Sequence, residues 1–150
     1  MVRLVFVRMS WQDSKTNTLL AFFYLSKYTL PHMTKGDTII NDASVNAYIG
    51  RPDLLDYTST KGAITAFTYG LSNQWVGKGI RVNAVAPGPV WTPLVVSTMT
   101  EESQKAFSGP IGRGGQPSEI ATVVVFLAST DSSQISGQVI HCNGGVVVHG

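Results

Sequence analysis

Three short, largely apolar runs rich in β-branched residues constrain the fold of this chain more than any other feature. They are Thr38 to Asn41, Ile80 to Ala86 and Gln138 to His141, and turn residues bound each of them. Runs of this length and composition are typical of strands that are buried on both faces. The sequence therefore predicts three strands inside a sheet.

Apolar residues at spacings of three and four occupy the stretches before and between these runs. They predict one helix that begins around Leu19 and ends near Pro31, a second from about Leu54 to Trp75, and a third from Pro117 through Leu127. Alternating strands and helices favour a parallel sheet with right-handed crossovers. We expect an α/β fold with a doubly wound, Rossmann-like sheet. No repeat or long linker divides residues 1–150, which we expect to form a single domain.

Composition and charge exclude several classes of protein. Hydrophobic residues make up 43% of the chain, and its scattered charges sum to only +2, so neither disorder nor a nucleic-acid footprint is expected. The single thiol, Cys142, cannot form an intramolecular disulfide, and the apolar runs are too short for a signal peptide or a membrane span. The three histidines, His32, His141 and His149, lack metal-ligand spacing. We expect a soluble, cytoplasmic protein without a metal site.

One candidate site has a clear chemical use. Tyr57 and Lys61 lie four residues apart on the second predicted helix, and so on one face of it. A nearby ammonium group favours the phenolate form of a tyrosine, which can then exchange a proton with an alcohol or carbonyl oxygen. Ser44, at the end of the first predicted strand, can hold that oxygen by a hydrogen bond. The spacing alone is equally consistent with a surface pair on a helix and a serine in a turn.

The sequence around these residues is a more specific signal than their spacing. The segments IINDASVNAY, YTSTKGAITAF, GIRVNAVAPGPVWTP, GRGGQPSEIATVVVFLAS and ISGQVIHCNGG follow one another in order, from about residue 19 to residue 145. Together they resemble the classical short-chain dehydrogenase/reductase family. Within it, their sequence is most similar to the glucose/ribitol dehydrogenase-like and aldehyde reductase-like members. The resemblance implies that Tyr57 is the catalytic acid/base and that Ser44 orients the substrate carbonyl. It also implies that Lys61 favours the phenolate form of Tyr57, and that Tyr57 and Lys61 both bind the cofactor, Lys61 at the nicotinamide ribose.

The same resemblance implies a nicotinamide loop after the second predicted strand. Pro87 and Gly88 match positions whose backbone lies against the nicotinamide, and Val90 and Thr92 match positions that hold the carboxamide and a nearby phosphate. The cofactor would be NAD or NADP. The substrate would be a small-molecule carbonyl, secondary alcohol or sugar polyol. Without the resemblance, PGPVWTP indicates only a rigid turn, and GRGG at positions 112–115 indicates a loop that leads into the third helix.

Two features depart from the family pattern. The Gly-rich turn that cradles the cofactor's pyrophosphate does not occur in this sequence, and residues 1–15 do not resemble the corresponding family segment, so the first strands of the family fold are expected to be missing. The family's active-site asparagine aligns with Thr18, while Asn17 is its neighbour. A partial sheet exposes an edge strand and apolar helix faces, which favours a homo-oligomer or association with a related chain.

Two other functions remain open to the sequence. A truncated, non-catalytic remnant would act as an interaction partner, and small residues on the second helix would permit close approach of another subunit or of the chain's own sheet: Ser59, Gly62, Ala63 and Ala66. A serine hydrolase is poorly supported, because no G-x-S-x-G elbow occurs and no histidine is placed to serve Ser44.

Overall fold

A four-stranded parallel sheet forms the centre of the computed structural model, which describes residues 4–7 and 15–148. Its strands, in chain order and in spatial order, are β1 Leu4–Val7, β2 Thr38–Asp42, β3 Arg81–Pro87 and β4 Val139–Cys142. All three pairings are parallel, with Ile39 opposite Val82 and Val85 opposite Ile140. Within the described residues, β2 and β3 are the interior strands, and they carry the longest runs of buried residues.

Six α-helices accompany the described strands. They are α1 Lys15–Thr29, α2 Asn46–Ile49, α3 Leu55–Trp75, α4 Pro93–Thr98, α5 Glu101–Lys105 and α6 Pro117–Ala128. Short 3-10 turns follow or precede them at Leu30–His32, Pro52–Leu54, Val76–Lys78 and Thr130–Ser132. Proline stands within the first turns of α4 and α6, where its missing N–H has no helical partner to lose.

Helices α1 and α3 pack on one face of the sheet, and α6 packs on the other. On the first face, fully or nearly buried side chains form two adjoining clusters, Phe22, Ala43, Ile64, Ala84 and Ala86, and Leu30, Met33, Ile39, Leu71, Ile80 and Val82. On the second face Leu127 of α6 packs with Ile40 and Val85. Burying each large aliphatic side chain contributes about 1.5–3 kcal/mol, so both faces hold helices firmly.

A buried polar contact fixes α3 over β2. The Asn41 side-chain amide donates to the Thr68 hydroxyl at 2.8 Å, and the Thr68 hydroxyl donates in turn to the Ile64 carbonyl at 2.9 Å. Asn41 and Thr68 are both fully buried. A hydrogen-bonded polar pair in a dry interior favours one relative position of helix and strand, although the Asn41 side-chain oxygen has no hydrogen-bond partner in the described part of the chain. The contact therefore holds α3, at Thr68, against β2 near its carboxyl end.

The predicted α/β fold with a doubly wound parallel sheet is confirmed. The three predicted strands lie within one residue of β2, β3 and β4, and the predicted helices correspond to α1, α3 and α6. Strand β1 and the short helices α2, α4 and α5 were not predicted from the sequence. The expectation that Ser59, Gly62, Ala63 and Ala66 permit close approach stays open, since Ser59 and Ala66 are exposed while Gly62 and Ala63 are half-buried.

Candidate active site

The carboxyl ends of β2, β3 and β4 meet at one edge of the sheet, and the loops that leave them are joined by main-chain hydrogen bonds. The Val45 N–H donates to the Pro87 carbonyl at 3.0 Å, and the Gly88 N–H donates to the Cys142 carbonyl at 3.0 Å. The segment with Ser44 therefore lies directly beside the loop that begins at Pro87. In open α/β sheets this edge is where ligands bind.

Tyr57 and Lys61 face the same edge from the first turns of α3. The Lys61 ammonium nitrogen lies 5.6 Å from the centroid of the Tyr57 ring, within the range of a cation–π contact. Lys61 Nζ also donates to the main-chain carbonyl of Asp42, the last residue of β2, at 2.8 Å. Two of the predicted site residues are thus in contact, and the lysine connects them to the strand that leads to Ser44.

Ser44 lies two residues beyond β2, and its side chain is nearly buried, with 6% exposed. Its Oγ accepts a hydrogen bond from the Asn46 N–H at 3.2 Å, and its carbonyl accepts one from the Ala47 N–H at 3.1 Å. A hydroxyl can accept and donate at once, so the contact with Asn46 leaves the hydroxyl hydrogen for another acceptor. The start of α2 thereby orients Ser44.

Gly88 occupies a position where a side chain would collide with the neighbouring main chain. A Cβ at this residue would lie 2.6 Å from the Asn143 carbonyl oxygen and 2.8 Å from its Cα. Asn143 is itself buried and held in a turn, because its side chain donates to the Val146 carbonyl and accepts from the Gly145 N–H. The loop after β3 therefore rests directly on the turn after β4.

The rest of the predicted nicotinamide loop is clamped to the Gly-rich segment. Val90 forms a parallel bridge with Gly115, in which the Trp91 N–H donates to the Gly115 carbonyl at 2.9 Å and the Gly115 N–H donates to the Pro89 carbonyl at 2.8 Å. Thr92 caps α4, since its hydroxyl accepts from the Val95 N–H at 3.4 Å. Positions 112–115 form a loop that leads into α6, as the sequence predicted.

The start of α6 is fixed by an ion pair at the surface. Arg113 donates to both carboxylate oxygens of Glu119, at 2.8 and 2.7 Å, and the Gln116 N–H donates to Glu119 at 2.8 Å. The Arg113 guanidinium, and after it the Gln116 N–H, lower the pKa of Glu119 to about 2. A charged acceptor at this point satisfies a free N–H of the helix N-terminus.

The structure adds Asp42 to the predicted set. Besides its main-chain bond to Lys61, it places a carboxylate oxygen 3.6 Å from Lys61 Nζ. Asp42 was not predicted as a site residue, because in the sequence it is only the polar end of a predicted strand. The available signal was its position two residues before Ser44, at the carboxyl end of a predicted parallel strand.

Tyr48 of α2, Tyr69 of α3 and His141 of β4 form an aromatic cluster. The Tyr48 ring packs against the His141 ring at 4.5 Å between centroids, and the Tyr48 and Tyr69 hydroxyls are 3.4 Å apart. Burial, and after it the bond to Tyr69, raises the pKa of Tyr48 to about 12. Burial lowers the pKa of His141, whose Nδ1 has no hydrogen-bond partner in the described part of the chain.

Three further predictions concern Asn17 and Thr18, a metal site and a membrane span. Asn17 and Thr18 lie in the first turn of α1, and their side chains are outside the described part of the structure. Among the described residues, no group of three or more His, Cys, Asp or Glu side chains is placed to hold a metal ion. Nor does the described part of the chain contain a helix that is long and apolar enough to cross a membrane.

Comparison with known proteins gives consistent matches. The family model described as Enoyl-(Acyl carrier protein) reductase matches residues 6–147. Glucose and ribitol dehydrogenase from Daucus carota is 59% identical over 138 residues, which are 91% of this chain and 47% of that protein. NADPH-dependent aldehyde reductase 1, chloroplastic, from Arabidopsis thaliana is 54% identical over 138 residues, which are 90% of this chain and 48% of that protein.

Solved structures agree with these sequence matches. A short-chain dehydrogenase/reductase from Brucella melitensis, titled glucose/ribitol dehydrogenase, superposes with a TM-score of 0.81 at 33% identity, covering 93% of this chain and 58% of that one. An angucycline C-6 ketoreductase with bound NADP has a TM-score of 0.81 at 29% identity, covering 91% and 55%. The chain spans about half the length of the curated relatives that it matches.

Proposed function

The chain belongs to the short-chain dehydrogenase/reductase family, and from that premise we propose that it is an NAD(P)-dependent oxidoreductase. The reaction would transfer hydride between nicotinamide and a carbonyl or secondary alcohol. The observation that carries the proposal is the placement of Lys61, whose ammonium group lies against the Tyr57 ring and is bonded to the end of β2, two residues before Ser44.

Each side chain has one role in the proposed reaction. In the direction of reduction, the Tyr57 hydroxyl gives its proton to the carbonyl oxygen as the carbon accepts hydride. The Ser44 hydroxyl donates a hydrogen bond to the same oxygen and holds the carbonyl in line. The Lys61 ammonium stabilises the phenolate that remains on Tyr57, because opposite charges attract strongly at the half-buried edge of a sheet.

The residues present suit the nicotinamide end of such a cofactor. Lys61 offers ammonium hydrogens that suit ribose hydroxyls, and the main chain of Pro87 and Gly88 lies beside the segment with Ser44, with Val90 and Thr92 following in the same loop. When bound, nicotinamide supplies or accepts the hydride. The first glycine of the chain is Gly36, so no Gly-rich turn for a pyrophosphate precedes α1 in this sequence. Neither NAD nor NADP is favoured by the residues at this edge.

The names of the relatives support the choice of substrate class. One is called a glucose and ribitol dehydrogenase and another an aldehyde reductase, so we propose a sugar, polyol or small aldehyde as substrate. The segment with α4 and α5 borders the site, and the Trp91 and Phe107 rings, 5.1 Å apart, connect its two ends. Side chains of this segment would select the substrate.

We also propose that the chain works as an oligomer in the cytoplasm. An exposed apolar stripe follows one side of α1, and its residues recur every four positions: Leu20, Tyr24 and Tyr28. Such a stripe is costly to leave in water and suits a second copy of the chain or a related chain. Cys142, a thiol whose pKa burial raises, suits a reducing compartment.

Turnover assays test the proposed function. The purified chain is mixed with NADH or NADPH and with a panel of aldehydes and keto sugars, and the loss of reduced nicotinamide is followed by absorbance. Tyr57→Phe should lower turnover by about 10²–10⁴-fold, the contribution of a positioned acid/base. Tyr28→Phe, on the exposed stripe of α1, should leave turnover unchanged. Equal rates in wild type and Tyr57→Phe would refute the role of Tyr57.

A further inference from the structure

Asp42 presents two oxygens to Lys61, although only one of them accepts a hydrogen bond. The main-chain carbonyl accepts from Nζ at 2.8 Å, while carboxylate oxygen Oδ2 lies 3.6 Å from the same nitrogen. An ammonium group has three donor hydrogens, and the carbonyl takes one of them. The carboxylate at this distance acts as a counter-ion, so it does not occupy a donor that a ligand needs.

The surroundings of the pair make the counter-ion effective. The Lys61 side chain is only 12% exposed and that of Asp42 is 34% exposed, so solvent screens their attraction less than it screens an ion pair at the surface. A lysine side chain has four rotatable bonds, and its ammonium group samples several positions unless a charge or a hydrogen bond holds it. Asp42 is the last residue of β2, and the register of β2 is fixed by its pairing with β1 and β3. The main chain from which the carboxylate extends is therefore held in place.

We propose that Asp42 is a positioning residue, whose carboxylate holds the Lys61 ammonium group at the carboxyl end of β2 where it faces Tyr57. The consequence of this positioning for catalysis rests on the proposed function, because both concern Lys61. The positioning itself is a property of the chain alone. It gives the Ser44, Tyr57 and Lys61 site a fourth member, which acts on the reaction only through the lysine.

The direct test measures how firmly the ammonium group is held without any cofactor. Hydrogen exchange of the lysine ammonium groups is followed by ¹⁵N NMR, and the Lys61 signal is assigned by its loss in Lys61→Arg. Asp42→Asn removes the charge while the main-chain carbonyl remains, so it isolates the carboxylate. Exchange at Lys61 should become about 3-fold faster in this variant, the change that a partly exposed ion pair supports.

A matched control separates this effect from a general change of charge. Asp53 forms an ion pair with Arg51 at the exposed surface before α3, so Asp53→Asn removes the same charge from a different pair. Exchange at Lys61 should be unchanged in Asp53→Asn. If Asp42→Asn does not fold, Asp42→Ser retains the main-chain carbonyl and gives the same comparison. Exchange at Lys61 that is equal in wild type and in the folded Asp42 variant overturns the proposal.

A second readout connects the positioning to the proposed reaction. In Asp42→Asn the dissociation constant of NADH or NADPH should rise about 3-fold, while KM for the carbonyl substrate stays constant. A structural role of Asp42 would instead change both constants together, and that result also overturns the proposal. If exchange changes as expected but neither nucleotide binds to the wild type, the proposed function fails and the positioning stands. If a nucleotide binds and exchange does not change, the positioning fails and the proposed function stands.

Discussion

At the scale of single residues, two polar side chains of the candidate site already have hydrogen-bond partners within the chain. Ser44 accepts from Asn46 and Lys61 donates to Asp42, so each side chain is held by a main-chain partner before any substrate arrives. Groups that are positioned in advance lose little entropy in the reaction and need little reorganisation. In the proposed reaction, this arrangement would let residues from a strand end and a helix act together on one oxygen.

Replacing Ser44 by alanine should lower kcat by about 10²–10³-fold, the usual cost of losing one positioned donor to a reacting oxygen. The affinity for nicotinamide cofactor should stay constant, because Ser44 contacts the substrate and not the cofactor in the proposed reaction. Steady-state kinetics with both cofactors give the two values. Ser59→Ala is the matched control, since the Ser59 hydroxyl is exposed and donates to the Leu55 carbonyl of its own helix. A larger loss of activity in Ser59→Ala than in Ser44→Ala would contradict the assignment.

His141 makes the stability of the protein depend on pH. Burial lowers its pKa below the ordinary value of 6.5, so the unfolded chain takes up a proton at a higher pH than the folded chain does. The unfolded state therefore binds more protons as pH falls below about 6.5, and the free energy of unfolding decreases. Urea unfolding at about pH 8 and about pH 5.5 should show this decrease, and His141→Gln should reduce it.

At the scale of elements, the loops at the carboxyl edge of the sheet are fixed by close main-chain contacts as well as by side chains. The loop after β3 lies on the turn after β4 at Gly88, and the same loop is bridged to Gly115 before α6. A loop that is clamped from two sides offers a rigid wall to a ligand. Rigid loops on a sheet edge are the usual location of binding residues.

Two glycine-to-alanine variants test this contact. Gly88→Ala should lower the free energy of unfolding by about 1–3 kcal/mol, because its methyl group would overlap the Asn143 main chain. Gly62→Ala, in the middle of α3, has no described atom within 4 Å of its Cβ and should raise the free energy of unfolding by about 0.5–1 kcal/mol. Chemical denaturation measures both. A stabilised Gly88→Ala variant would show that the loop does not rest on Asn143.

The sequence predicted the long elements well, since β2, β3 and β4 have β-branched runs and α3 repeats its apolar residues at helical spacing. It did not predict β1, because the four residues LVFV carry no flanking turn signal, and their pairing with β2 is a contact between distant parts of the chain. Asp42 was missed for the same physical reason. Its contact with Lys61 spans 19 residues and exists only once α3 packs on β2.

At the scale of the whole molecule, large apolar side chains are exposed along α1 and on α3 in the described part of the chain. Besides the stripe of Leu20, Tyr24 and Tyr28, a groove of about 600 Å³ lies between the two helices, lined among others by Phe23, Phe67 and Trp75. Two helices that present such a surface on the same side are suited to a face-to-face contact with another pair.

Placing a charge on this surface should weaken self-association. Tyr24→Glu should raise the dissociation constant of the oligomer at least about 10-fold, because a carboxylate at an apolar contact loses its hydration. Sedimentation velocity over a range of concentrations measures the change. Val96→Glu puts the same charge on α4, at an exposed apolar residue away from α1, and should leave the oligomer intact. A wild-type chain that is monomeric at all concentrations would contradict the proposal.

The central claim is that the edge formed by Ser44, Tyr57, Lys61 and the Pro87–Gly88 loop binds nicotinamide. The most direct measurement is a fluorescence titration of the purified chain with NADH and with NADPH, in wild type, Lys61→Ala and Lys78→Ala. We predict saturable binding of at least one nucleotide, weakened about 10-fold in Lys61→Ala by the loss of a charged hydrogen bond and unchanged in Lys78→Ala. The absence of saturable binding of both nucleotides to the wild-type chain would contradict the claim.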